Sequence, residues 1–165
     1  TFPVNGRFTP EQRAVYEVVL EAQEAAFARC HPGNHWNDPH DAAVQAITRG
    51  LVRLGLLKGR VPALVRDGAY RRFFMHRTGH WLGMDVHDVG DYKVGDEWRV
   101  LEPGMCLTVE PGIYIPAGSK GVPRRWWNIG VRIQDDVALT AAGHEVLTQG
   151  LPRTPDEVER VKRAA

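Results

Sequence analysis

His76-Arg-Thr-Gly-His80-Trp-Leu-Gly-Met-Asp-Val-His87-Asp-Val-Gly90 sets three imidazoles within a dozen residues. Imidazole is the commonest protein metal ligand and the usual proton shuttle near neutral pH. The run reads as a segment with strand character. Side chains alternate along a strand, so the odd separation of His80 from His87 puts their rings on opposite faces unless the chain bends. Gly83 supplies a place to bend. With that bend, one ring can hold a cation while the other faces a substrate; without it, these are polar side chains satisfied on a loop. His76 and His80 also have the spacing of a helical zinc pair, but Gly79 weakens a helix and no glutamate lies between them to serve as general base.

Downstream, Leu101-Glu-Pro-Gly-Met-Cys-Leu-Thr-Val-Glu110-Pro-Gly-Ile-Tyr-Ile115 ends an apolar strand on a carboxylate followed at once by Pro-Gly. A carboxylate there is costly unless a cation pairs with it. The next block, Asn128-Ile-Gly-Val-Arg132-Ile-Gln134-Asp-Asp136-Val-Ala-Leu-Thr140, reads as a strand, a tight Asp-Asp turn and a second strand, that is, a hairpin. Arg132 and Gln134 share one face of its first strand. Turn chemistry accounts for Asp135 and Asp136, since aspartate tolerates the backbone angles of a two-residue hairpin.

These three blocks, in this order, resemble the pita-bread metallopeptidases, and most closely the Xaa-Pro aminopeptidase (aminopeptidase P) branch. The resemblance runs from Thr1-Phe-Pro-Val-Asn-Gly6 to the final hairpin. It implies an α+β pita-bread fold, with residues 1–165 forming part of a catalytic domain that is incomplete on its amino-terminal side. It further implies hydrolysis of the amino-terminal Xaa-Pro bond by two divalent cations, manganese first, with cobalt or zinc as alternatives. By that resemblance His80 and Glu110 are metal ligands, Glu110 also serves as proton acceptor, and His87 stabilises the tetrahedral intermediate. His76 and Arg132 line the substrate pocket. The partner implied is a peptide with proline in second place.

Two departures qualify the expectation. The family's two aspartate ligands lie upstream of the segment that opens this chain, and Gln134 stands where the family has its bridging glutamate. A carboxylate offers two anionic oxygens to two hard cations, whereas glutamine offers one neutral carbonyl oxygen. Weak metal binding or none, and no turnover by this chain alone, are therefore expected. A fragment, an engineered inactive form and a natural inactive homologue would all carry these departures; the lack of an initiator methionine favours the first. The macromolecular partner expected is the missing amino-terminal portion or a homo-oligomer. Prolidase is the enzymatic alternative. A non-catalytic pita-bread module that binds peptides is the alternative from another class, supported by Gln134 and opposed by the retention of His80, His87 and Glu110.

Composition fits a globular chain, with 43% apolar and 25% charged residues, and a net charge of +1 gives no general drive toward nucleic acid or acidic membranes. Two cysteines, Cys30 and Cys106, are too few for a disulfide framework, and a cytoplasmic location is expected. Thr9-Pro-Glu-Gln12 is a capping box that opens a helix over about 10–29, and Asp38 with Pro39 opens a second to about Leu54, closed by Gly55. Both helices are amphipathic and are expected to cover sheet faces. A short helical segment is expected within 56–74, strands dominate from Met75, and 90–95 and 116–125 are loops. Thr154-Pro-Asp-Glu157 opens a terminal helix. His31, His35, His40 and His144 are expected to be solvated, while Asp85 and Asp88 could orient His87.

Overall fold

The computed structural model describes residues 1–164. Helix α1 (Pro10–Phe27) starts where the sequence says it should. Thr9 accepts from the Gln12 amide at 3.2 Å, and the Gln12 side chain accepts from the Thr9 amide at 2.9 Å. Its apolar stripe of Val15, Val18, Val19, Ala22 and Ala26 is wholly buried. Helix α2 (Asp38–Arg53) is capped at Asn37, one residue earlier than expected, because the Asp38 carboxylate turns back to accept from the His35 amide at 2.8 Å.

The two helices are in close contact at Gly50. A Cβ there would sit 2.6 Å from Val18 Cγ2, so the absence of a side chain sets the interhelical distance. The expected arrangement, each helix covering a sheet face, is only half realised: α1 lies against the strands, and α2 packs on α1 and on the short helix α3 (Val61–Arg66). A 3₁₀ turn over Ala69–Arg72 follows α3.

Regular strands begin later than Met75. Residues 75–92 form no strand apart from a bridge between Trp81 and Leu107. Within the expected 90–95 loop the chain enters a small hairpin of β1 (Lys93–Val94) and β2 (Glu97–Trp98). The main strands are β3 (Cys106–Val109), β4 (Gly112–Ile115), β5 (Ile129–Arg132), β6 (Asp135–Thr140) and β7 (Gly143–Val146). All pairings are antiparallel, in the order β3-β6-β7 and β4-β5.

This pairing overturns the hairpin expected over 128–140. The chain does not reverse at Asp135-Asp136: β5 pairs with β4, and β6 pairs with β3 and β7. Burial alternates without a break from Ile129 to Val137, which is the signature of one extended run. Asp135 is 2% exposed inside that run, where a solvated turn residue would be open to water. The true hairpin is β6–β7, turning over 141–142.

The two ladders share one register. Val109 lies opposite Asp135 and Gly112 opposite Arg132, so Glu110 lies opposite Gln134. The Ile133 amide still reaches the Pro111 carbonyl at 3.4 Å across the gap. Pro111 has no N–H to return, which explains why the regular pairing lapses there. Residues 106–115 and 129–140 thus form one long two-stranded ribbon.

The terminal helix α4 (Pro155–Ala164) has its expected capping box, with Glu157 accepting from the Thr154 amide at 2.9 Å. Arg153, just before it, donates to Glu24 of α1, approaches Asp135 at 3.8 Å and lies over the Phe27 ring. No helix among the described residues is long and apolar enough to cross a membrane.

Candidate functional site

The shared register decides which side chains meet. Cross-strand partners point to the same face, and so do residues two apart. Thr108, Glu110, Arg132, Gln134 and Asp136 therefore share one face of the ribbon. Leu107, Val109, Ile133 and Val137 fill the opposite face and are buried. Gln23 of α1 anchors that buried side by donating to the Val109 carbonyl at 3.2 Å.

Residues 78–82 add a further edge along β3. The Thr108 amide donates to the His80 carbonyl at 3.0 Å, the Glu110 amide to Thr78 at 2.6 Å, and the Leu82 amide to Cys106 at 3.1 Å. Gly79 permits this approach, because a Cβ there would collide with the Thr108 carbonyl. His80 is thereby brought to the Glu110 face, with its Nε2 3.1 Å from Glu110 Oε1. Arg132 Nη1 stands 3.7 Å from the other carboxylate oxygen. Glu110 is only 9% exposed, and the Arg132 guanidinium with the Thr108 hydroxyl at 2.9 Å offsets its burial.

His80 Nδ1 lies 2.8 Å from the Trp81 carbonyl, an acceptor only, so Nδ1 carries a proton. In the neutral ring, Nε2 then aims a lone pair at Glu110. Two electron-pair donors converging in this way call for a shared cation or a second proton. Two ligands of one cation at about 2.1 Å each stand about 3.0 Å apart at the right angle of octahedral coordination and about 3.4 Å apart at a tetrahedral angle. The His80–Glu110 pair fits that range.

His87 reaches the same place by a bend within the 82–88 loop. The Gly83 amide donates to the Asp85 carbonyl and the Asp88 amide returns to Trp81. The exposed His87 ring sits edge-on to His80 with centroids 4.4 Å apart. Asp88 accepts from the Val89 amide, and among the described residues no carboxylate bonds to His87. His76 is held one step away, with Nε2 2.8 Å from the Tyr114 hydroxyl and Nδ1 on the Arg77 carbonyl. Gln134 is exposed on the site face and makes no side-chain hydrogen bond among the described residues.

The donors present fall short of a pair of cations. Among the described residues no group of three or more His, Cys, Asp and Glu is placed to hold a metal. One imidazole and one carboxylate suit part of one coordination sphere, and an amide at position 134 cannot bridge two ions as a carboxylate can.

Two corrections concern residues outside the centre. His40 is half-buried, with Nδ1 2.8 Å from the Thr78 hydroxyl, and burial pushes its pKa down to about 4. Asp135 is a buried strand residue that accepts from Thr148 and pairs with Arg153. Two participants escaped the sequence reading, Thr108 and Tyr114. Both stand at even positions on either side of Glu110, so strand alternation was the signal that could have found them. Both cysteines are unpaired, and burial raises the Cys30 thiol to about 12.

The chain matches the sequence profile of metallopeptidase family M24 over residues 1–141. It is 48% identical over 161 residues to the Xaa-Pro aminopeptidase of Haemophilus influenzae, covering 98% of this chain and 37% of that protein. It superimposes with a TM-score of 0.97 on the structure of Pseudomonas aeruginosa aminopeptidase PepP, at 61% identity, covering 99% of this chain and 37% of the other. A zinc-substituted Escherichia coli aminopeptidase P in complex with product gives a TM-score of 0.94 at 47% identity, with the same two coverages. The chain thus spans a little over a third of the length of these relatives. With profile and architecture in agreement, the chain belongs to the metallopeptidase family M24, and its mixed helix and strand arrangement is that family's pita-bread fold.

Proposed function

We propose that the face carrying His80, Glu110 and Gln134 serves hydrolysis of the bond before proline at the amino terminus of a peptide, the activity named for its relatives. The observation that carries this reading is the shared register, which sets residue 134 opposite Glu110 while His80 approaches the same carboxylate at 3.1 Å. In this reading His80 and Glu110 would hold divalent cations, manganese first, with residue 134 beside them, and the cations would supply an activated water and polarise the scissile carbonyl. His87 faces the oxygen that becomes anionic. Oriented donors aimed at such an oxygen are usually worth a few kcal/mol in the transition state. His76 and Arg132 contact the peptide, with the forked Arg132 donors suited to a carbonyl or carboxylate. The two unpaired thiols suit a reducing, cytoplasmic setting.

With an amide at position 134 and only two strong ligands, this chain is expected to hold metal weakly and to turn over no Xaa-Pro peptide. The test compares it with a form that carries Gln134→Glu and is preceded by a segment bearing two aspartates. Bound manganese and release of the amino-terminal residue are measured in both. Turnover only in the second form supports the reading. Substantial release by the unaltered chain would show the ligands to be misplaced. Gln134 is also the observation favouring a peptide-binding module without hydrolysis, and failure of the completed form to take up metal would select that reading.

A further inference from the structure

Thr108 is 1% exposed, in the middle of the ribbon, and its hydroxyl does two jobs at once. It donates to Glu110 Oε1 at 2.9 Å and accepts from the His80 amide at 3.1 Å. Its own amide donates to the His80 carbonyl at 3.0 Å, so the backbone of His80 is gripped on both sides by one residue. The hydroxyl has a single proton. That proton goes to Glu110, because the His80 amide is a donor and takes a lone pair. The oxygen of Glu110 that receives it is the same Oε1 that faces His80 Nε2.

We infer that Thr108 is a positioning residue: its side chain fixes the Glu110 carboxylate and the His80 main chain relative to each other, and thereby sets the gap into which a cation fits. The inference rests on the reading of His80 and Glu110 as metal ligands, but its geometry exists without metal. Hydrogen bonds behind a ligating group typically matter by about 10-fold to 100-fold in metal affinity. Valine has nearly the shape of threonine but supplies neither the proton for Glu110 nor the lone pair for His80. Serine retains both.

The experiment compares the protein with its Thr108→Ser and Thr108→Val variants, using zinc ion alone as the probe in calorimetric titrations, each repeated with Gln134→Glu. Thr108→Ser is expected to stay within about twofold of its parent, and Thr108→Val to bind about 10-fold to 100-fold more weakly. The same variants are compared free of metal by nuclear Overhauser contacts between the His80 ring and the Glu110 side chain. Those contacts are expected to persist with serine and to weaken with valine, whereas a loss of overall stability alone would leave them intact in the folded population. Equal zinc affinity for valine and threonine overturns the inference, as do unchanged metal-free contacts. If no form binds zinc, as two ligands alone allow, the metal-free contacts decide the role of Thr108, and the metal reading is judged separately on the form completed with the two aspartates. If Thr108→Val does not fold, Thr108→Ala takes its place under the same criteria.

Discussion

Replacing Gly79 with alanine should detach the His80 segment from the ribbon. A Cβ at Gly79 would lie 3.1 Å from the Thr108 carbonyl carbon and closer still to its oxygen, and a strand backbone cannot yield as a flexible side chain can. The 78–82 edge must therefore move outward. Four hydrogen bonds hold that edge at the site: Thr108 amide to His80, Glu110 amide to Thr78, Leu82 amide to Cys106, and His80 amide to the Thr108 hydroxyl. Each is worth about 1 kcal/mol net, so the expected loss is about 2–4 kcal/mol. Urea unfolding measures the total, and hydrogen exchange at the Thr108 and Glu110 amides locates it. Gly150 has no neighbour within 4 Å of a built Cβ and serves as control, with Gly150→Ala expected within about 0.5 kcal/mol of the parent. Unchanged exchange at Thr108 and Glu110, with stability within about 0.5 kcal/mol, would refute the steric reasoning.

His40 is neutral when folded, with a pKa near 4, and has an ordinary value near 6.5 when unfolded. The unfolded state therefore binds more protons between those values, and its contribution to stability is complete above about pH 6.5 and lost as the pH falls toward 4. Urea unfolding at pH 7 and pH 4.5 should differ by about 2–3 kcal/mol on this account, and His40→Gln should remove that share. Arg153→Ala leaves the Asp135 carboxylate buried without its cation and should cost about 3 kcal/mol, read as a lowered urea midpoint. Gly50→Ala overpacks the α1–α2 contact at Val18 and should cost about 1–3 kcal/mol by the same measurement.

Legibility differed between local and long-range signals. Capping boxes are local, and those at Thr9 and Thr154 place α1 and α4 as read, because proline and the box residues act within one turn. Helix α2 shifts by a residue because Asp38 has a competing acceptor role toward His35. The α+β class and the blocks around His80, Glu110 and Gln134 were legible through specific motifs. The pairing of β5 was not: Asp135-Asp136 has the composition of a turn, and only the partners from β3 and β4 show that the chain runs straight through it. What keeps Asp135 buried is Arg153 and Thr148, both remote in sequence and invisible to local reasoning. The same limit hid His40, whose burial depends on Thr78 across the fold. The rings of His80 and His87 do converge, through a loop instead of a bent strand, because the Asp88 amide returns to Trp81.

Residue 134 shares a face of the ribbon with Glu110, which His80 approaches, and the proposed function holds that an amide there weakens metal binding. Calorimetric titration of manganese into the protein and its Gln134→Glu variant tests it directly. The variant is expected to bind at least about tenfold more tightly, since it restores an anionic oxygen ligand for a hard cation. Equal affinity in the two proteins would contradict the claim.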